Sequence, residues 1–271
     1  MAKKTFTLIT FFLLPIILFA DSLKIFFLNV GEGESIYIES KEKKILIDSG
    51  NPITGYQVLQ FLKKRSIKSL DALIITHPHP DHMGGVFHIL QELKVDTLYD
   101  NGEYLRQNKT DIYRWYSELF RQNNRYRVLK QGLNINIGKN TRLISLSPDK
   151  LSNNWNENSL VFKLSHGKID ILLMGDAGIL TEQNLLTQDI SLQADLLKIG
   201  HHGAHDASSE VFLKAVNPSY AIISTNKNNI RGYPSPKILE RLQKRGIKVY
   251  STYEDGDIVF ELDEKSITKT P

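Results

Sequence analysis

The segment His77-Pro78-His79-Pro80-Asp81-His82 constrains this chain more than any other. It follows the apolar run Leu73-Ile74-Ile75-Thr76, which reads as a buried strand, so four donor side chains stand at one strand end. Imidazole and carboxylate are the usual side-chain ligands of zinc and its neighbours. The two prolines argue against a helix here and for a stiff turn. A stiff turn at a strand end can aim several side chains at one point.

The 271 residues include no cysteine, which excludes disulfides, cysteine-ligated metals and cysteine nucleophiles. Any metal is therefore held by nitrogen and oxygen, a donor set that suits zinc and also manganese or iron. One ion cannot easily take all four donors from so tight a turn. Two adjacent ions can share them, with His77 and His79 toward one and Asp81 and His82 toward the other. Ions about 3.5–4 Å apart can hold a bridging hydroxide and polarise a phosphoryl or carbonyl oxygen. Such a pair needs a bridging carboxylate. Asp176 ends the apolar run Ile171-Leu172-Leu173-Met174 and precedes Ala177, which suits that role. It can also cap a helix at 178–186, and both roles can hold together.

A short internal parallel supplies a further donor. Asp71-Ala72-Leu73-Ile74-Ile75-Thr76-His77 aligns with Asp195-Leu196-Leu197-Lys198-Ile199-Gly200-His201. Asp, Leu, Ile and His recur at equal offsets, and each segment leads toward a helix. The parallel places His77 and His201 at equivalent strand ends and prefers His201 as the ligand completing the second ion. His202 is then left to support the site or face substrate.

The rest of the chain reads as alternating strands and helices, an α/β layered domain over 21–271 with no internal linker. Short strands are expected at 23–29, 35–40 and 43–48, a helix at 54–65, and a helix opened by Gly84-Gly85. Residues 94–150 are harder to read, alternating short apolar runs with Asn-rich segments. Trp115, Tyr116, Leu119 and Phe120 fit one face of a helix near 110–122, as core rather than as a base-stacking platform. A hairpin is expected over 159–165 and 168–174, with His166 on the surface at its turn. Strands follow at 194–199, 219–224, 247–250 and 257–262, with helices at 178–186, 208–216 and 235–245.

The N-terminus has the layout of a secretory signal. Lys3 and Lys4 precede an uncharged, Phe/Leu/Ile-rich stretch from Thr5 to Ala20. Cleavage after Ala20 predicts an exported protein, periplasmic or extracellular. Leu18 is bulky for its place before the cut, so an uncleaved anchor at residues 5–20 is the alternative, and only that form contacts a membrane. The net charge of +4 and pI near 9.0 permit a polyanionic partner without requiring one.

Taken together, the strand–HPHPDH–Gly-Gly pattern, Gly175-Asp176 and the later histidines resemble the metallo-β-lactamase-fold hydrolases. The resemblance tightens to the C-terminal metallohydrolase domain of the ComEC competence proteins. Phe27-Leu28-Asn29-Val30-Gly31-Glu32-Gly33-Glu34-Ser35, Leu46-Ile47-Asp48-Ser49-Gly50, Asn158-Ser159-Leu160-Val161 and Leu197-Lys198-Ile199-Gly200-His201-His202-Gly203 are similar to that group's motifs, so residues 22–262 are covered almost end to end. The resemblance implies an αββα four-layer sandwich with the site at one edge between two sheets. It also implies a two-metal hydrolase using a metal-bound hydroxide, acting on phosphodiesters as a phosphodiesterase or nuclease, with a role in DNA processing or uptake. Carried onto matching positions, the metal ligands are His77, His79, Asp81, His82, Asp176 and His201.

Two departures stand out. Asn158-Ser159 replaces a histidine that many members of the wider fold carry, which implies a weaker first ion. Tyr233, in Gly232-Tyr233-Pro234, stands where the group often has histidine; its hydroxyl can donate a hydrogen bond to a leaving oxygen. Asp81 can ligate, orient the nucleophile, or do both. Asp48 and Asn29 either support the ligands or cap turns. A DNA partner would need a basic groove, for which Lys63, Lys64, Arg65, Arg121, Arg125, Arg127 and Arg231 are available. Hydrolysis of a smaller ester, lactam or phosphocholine-type group is a competing reading. So is a binding protein of the same fold with weakened catalysis.

Overall fold

The computed structural model describes residues 22–105, 110–226 and 229–270. The targeting segment read at 1–20 lies outside them. Among the described residues, no helix is long and apolar enough to cross a membrane.

Period-two alternation builds the layers. In Lys44–Ile47, Ile45 and Ile47 join one apolar cluster while Leu46 joins another. In Ile169–Leu173, Ile171 and Leu173 join that same first cluster, and Leu172 joins a third. The shared cluster is the core between two sheets. The second cluster packs the first sheet against helices Gly55–Lys64 and Val86–Glu92, and the third packs the second sheet against helices Ile179–Leu186, Glu210–Val216 and Pro236–Lys244. The result is helix, sheet, sheet, helix, the four-layer α/β sandwich. Strands apolar on both faces suit a sheet buried on both sides.

Among the described residues, the first sheet has eight strands and the second seven. In the first, Lys44–Ile47, Ser69–Ile74, Lys94–Asp100 and Tyr126–Val128 run parallel. In the second, Ile169–Leu173, Leu196–Lys198, Tyr220–Ile223 and Lys248–Ser251 do the same. The carboxyl ends of Ser69–Ile74, Ile169–Leu173 and Leu196–Lys198 lead into the histidine turn, Asp176 and the His201-His202 pair. The internal parallel is structural at its aspartates. Asp71 accepts the Lys44 N–H and Asp195 accepts the Asp170 N–H, at 2.8 and 2.9 Å, each tying its strand to the parallel neighbour.

Three expectations need correction. The proline-rich turn does contain a helix, the single turn Pro80–Met83, because Pro80 occupies its first position, where a missing N–H costs nothing. The unclear stretch 94–150 holds, among its described residues, four strands, whose apolar runs are interrupted by polar residues where a strand lies at a sheet edge. His166 is buried rather than on the surface, its Nδ1 2.6 Å from the Thr141 hydroxyl.

Candidate metal centre

Two neighbouring loops hold the backbone of the histidine turn. Glu34 N–H donates to the Asp81 carbonyl at 3.2 Å, Gly50 N–H donates to the Glu34 carbonyl at 2.9 Å, and Ser49 N–H donates to the His82 carbonyl at 2.7 Å. Gly33 packs so close that a Cβ there would lie 2.3 Å from the Asp81 carbonyl oxygen, and its φ of +134° suits glycine. Buried Lys198, in the second sheet, pairs with buried Glu34 in the loop before strand Ile36–Glu39, fastening that loop to the second sheet.

Six side chains meet at this edge as two groups of three. His77, His79 and Asp176 form one; Asp81, His82 and His202 form the other. Asp176 lies between them. Its Oδ2 is 3.7 Å from His77 Nε2, and its Oδ1 is 3.3 Å from His82 Nε2 and 3.4 Å from His202 Nε2. It caps nothing: the following helix takes Gly178 as its N-cap without a side-chain bond.

The residue expected to complete the second group was His201, and the structure brings in His202 instead. The chain turns left-handed there, with φ +44° at His201 and +54° at His202. That conformation is rare for non-glycine residues and costs on the order of 1–3 kcal/mol at each. It swings His202 inward, where Nε2 lies 3.6 Å from Asp81 Oδ2, and turns His201 to the rim. There His201 Nε2 sits 3.1 Å from Asn156 Nδ2, and Nδ1 sits 3.5 Å from Asp206.

The surrounding groups fix how these imidazoles present themselves. Asp48 accepts the Thr76 N–H and hydroxyl and lies 2.7 Å from His82 Nδ1. The Ser224 carbonyl lies 2.9 Å from His202 Nδ1. Each contact takes the Nδ1 proton and leaves Nε2 facing the cluster. His82 Nε2, His202 Nε2 and Asp176 Oδ1 are buried there without a hydrogen-bond partner. Orphaned polar atoms of this kind are expensive unless a cation satisfies them, so the residues present fit a metal site.

The charges agree. Burial, helped by His82, holds His77 well below the ordinary imidazole value, and burial lowers His79 too. Burial also opposes charge on His82 and His202, but the carboxylates outweigh it. Asp176 and Asp48 hold His82 well above its usual value, and Asp176 raises His202 to about 9. Burial would raise Asp176 and Asp81; the imidazolium groups beside them depress both instead. In the metal-free chain, protons on His82 and His202 stand where cations would.

Ser159 and Asn158 have separate jobs. Ser159 Oγ lies 3.3 Å from His77 Nδ1 and accepts the Asp176 N–H at 3.1 Å. Asn158 turns away, accepting the Ser152 N–H and donating to the Ser152 carbonyl and Glu103. The first group is thus left with two histidines. Asn29 fixes a turn, accepting the Gly31 N–H. Tyr233 packs edge-on against His201, ring centres 5.4 Å apart, and burial raises its hydroxyl above the ordinary value. Sequence reasoning missed Thr76, Ser224 and Asn156, whose residue types and spacing carry no metal-site signature.

Six of the seven proposed basic residues have partners within the chain. Arg121 is drawn inside by Asp100 at 2.7 Å, Arg65 pairs with Glu39 and covers Phe26, and Lys63 pairs with Glu92. Arg125 and Arg127 bond backbone carbonyls. Arg231 sits 3.6 Å from Glu32.

A four-layer α/β sandwich with a paired His/Asp cluster at its strand ends defines a class of metal-dependent hydrolases. Residues 28–225 match the family described as the metallo-beta-lactamase superfamily, and the chain belongs to it. It is 29% identical over 252 residues to ComE operon protein 3 of Bacillus subtilis, covering 86% of this chain and 32% of that one. It is 38% identical over 71 residues to the exodeoxyribonuclease WalJ of Streptococcus pneumoniae, covering 26% of this chain and 25% of that one. The chain therefore spans about a third of the length of the Bacillus subtilis relative. A solved metallo hydrolase from Ignicoccus hospitalis, Igni18, shares the fold with a TM-score of 0.60 at 16% identity, covering 89% of this chain and all of that one.

Asp48→Asn tests the support for His82. Asparagine tolerates the φ of +57° at this position, so the backbone should stay in place. Loss of the carboxylate should weaken divalent-metal binding by roughly 10–100-fold, read by calorimetry. Unchanged affinity would show that His82 is positioned without Asp48.

Proposed function

We propose that this chain is a metal-dependent phosphodiesterase acting on nucleic acid, exported through residues 1–20, with two divalent ions shared across Asp176. The observation that carries the reading is the convergence of His82 Nε2, His202 Nε2 and Asp176 Oδ1, buried and unpartnered, between two three-donor groups. The likeness to a protein named as an exodeoxyribonuclease supports a phosphodiester substrate.

His77, His79 and Asp176 would hold one ion, and Asp81, His82, His202 and Asp176 the other, with zinc, manganese or iron all suited to the donors. Bound ions supply water activated at neutral pH and positive charge for the phosphoryl oxygens. The chain's own residues do the rest. Asp48 and Ser224 orient the second group's imidazoles. Ser159 steadies His77 and Asp176 together. Asp81, mostly buried with its side chain 18% exposed, is placed to orient the attacking water. His201 and Tyr233 form one rim, and the Tyr233 phenol stays protonated at neutral pH, able to donate to the leaving oxygen.

Purified protein stripped by chelator and reloaded with zinc or manganese should hydrolyse bis-nitrophenyl phosphate and DNA only when loaded. His79→Ala should lower that turnover by roughly 100-fold, since it removes one of two histidines from the first group. Turnover unchanged in His79→Ala would sink the metal mechanism. Ester or lactam cleavage without phosphodiester cleavage would overturn the substrate class, and bound metal with no turnover would mark a binding protein.

A further inference from the structure

The wall beside His79 is aromatic. The Trp155 ring lies 5.4 Å from the His79 ring and 5.5 Å from that of Tyr113, and both aromatics are half-buried. With His79, Asn153 and Asn154 they line, among the described residues, an open cavity of about 570 Å³. The depression is wide open, which leaves the aromatic face accessible to a flat group.

The loop carrying Trp155 is built rigidly. Asn158 N–H donates to the Asn154 carbonyl at 3.1 Å, Asn156 N–H donates to the Asn154 side chain at 3.0 Å, and Asn101 donates to the Asn158 carbonyl at 2.8 Å. An indole at a fixed height beside a metal ligand is preorganised for stacking, whereas a packing residue would be covered. Among the described residues that line it, this face offers a π surface and amide groups.

We infer that Trp155 and Tyr113 form a stacking platform for an unpaired nucleobase, placing the neighbouring phosphodiester at the metal centre and making single-stranded DNA the preferred substrate. The inference rests on the phosphodiesterase reading and adds the strandedness. Every base has a π face, so the platform tolerates sequence; Asn153 and Asn154 offer polar contacts to the base edge. A paired base cannot enter the cavity without first leaving its stack.

The chain has two tryptophans, so in a Trp115→Phe background Trp155 is the reporter. Metal-free protein titrated with a thymidine hexanucleotide should show saturable quenching of Trp155 fluorescence, and a blunt DNA hairpin should bind at least tenfold more weakly. In metal-loaded protein, Trp155→Ala should raise KM for the hexanucleotide roughly 5- to 150-fold with little change in kcat, and Trp155→Phe should recover most of the loss. Equal binding of hexanucleotide and hairpin, or a KM indifferent to Trp155→Ala, would overturn the platform while leaving phosphodiester cleavage intact. Quenching without cleavage would uphold the platform and sink the hydrolase reading.

Discussion

Asp176→Asn is expected to lower phosphodiester turnover by roughly 10³-fold or more, because it removes a carboxylate that faces both three-donor groups. Its two oxygens divide the work: Oδ2 looks toward His77, and Oδ1 toward His82 and His202. Asparagine keeps the shape but loses the charge, and it can offer one lone-pair-bearing oxygen rather than two. Metal content measured on dialysed protein should fall below two ions per chain. The metal-free protein should change too. At neutral pH the Asp176 carboxylate balances protonated His82 and His202 in a buried site, and breaking a buried charge pair costs about 3–5 kcal/mol unless the imidazoles shed their protons. Urea unfolding in chelator should therefore show a large loss of stability near pH 6 and a smaller one near pH 9. Two ions bound at wild-type affinity in Asp176→Asn would remove the bridge from the proposed mechanism.

Local signals made much of this site legible, and non-local ones hid the rest. The turn His77–His82 announces itself because four donors lie within one strand end and its following turn. Asp176 is visible because a polar residue ends an apolar strand. The parallel between Asp71 and Asp195 also carries real information, since both aspartates tie a strand to its neighbour. It errs by one residue at the histidine. Equal spacing presumes equal backbone paths, and the left-handed pair His201-His202 breaks that equality, a conformation no residue type in the segment demands. Ser159 was legible only as the place of a missing ligand; its hydroxyl supports His77 and Asp176 across a gap of 82 and 17 residues respectively. Arg121 looked like a surface charge in a polar stretch. Asp100, at the end of a strand that the apolar pattern did not reveal, draws it inside. Trp155 stands alone between asparagines, with no periodicity to place it beside His79.

Metal affinity should rise steeply with pH, because cations and protons compete for the same nitrogens. Without metal, Asp176 raises His202 to about 9 against an ordinary imidazole value of 6.5, and His82 is also raised. Binding a cation must displace those protons. From pH 7 to 9 the unprotonated fraction of His202 grows roughly 50-fold, so affinity should rise by about that factor from His202 alone and further from His82. Stability without metal should move the other way. A folded-state value above the unfolded one gives a contribution fully present below about 6.5 and lost as pH climbs through 9. The lowered values of Asp176 and Asp81 add stability that is lost only in acid, below the ordinary carboxylate range. The chelated chain is therefore predicted to weaken between pH 6.5 and 9, while the loaded chain strengthens as binding tightens. Calorimetric titrations in buffers of different ionisation enthalpy would count the protons released, with at least one expected per chain at pH 7. Affinity flat across pH 6.5–9, with no proton released, would show that His202 does not exchange its proton for a metal.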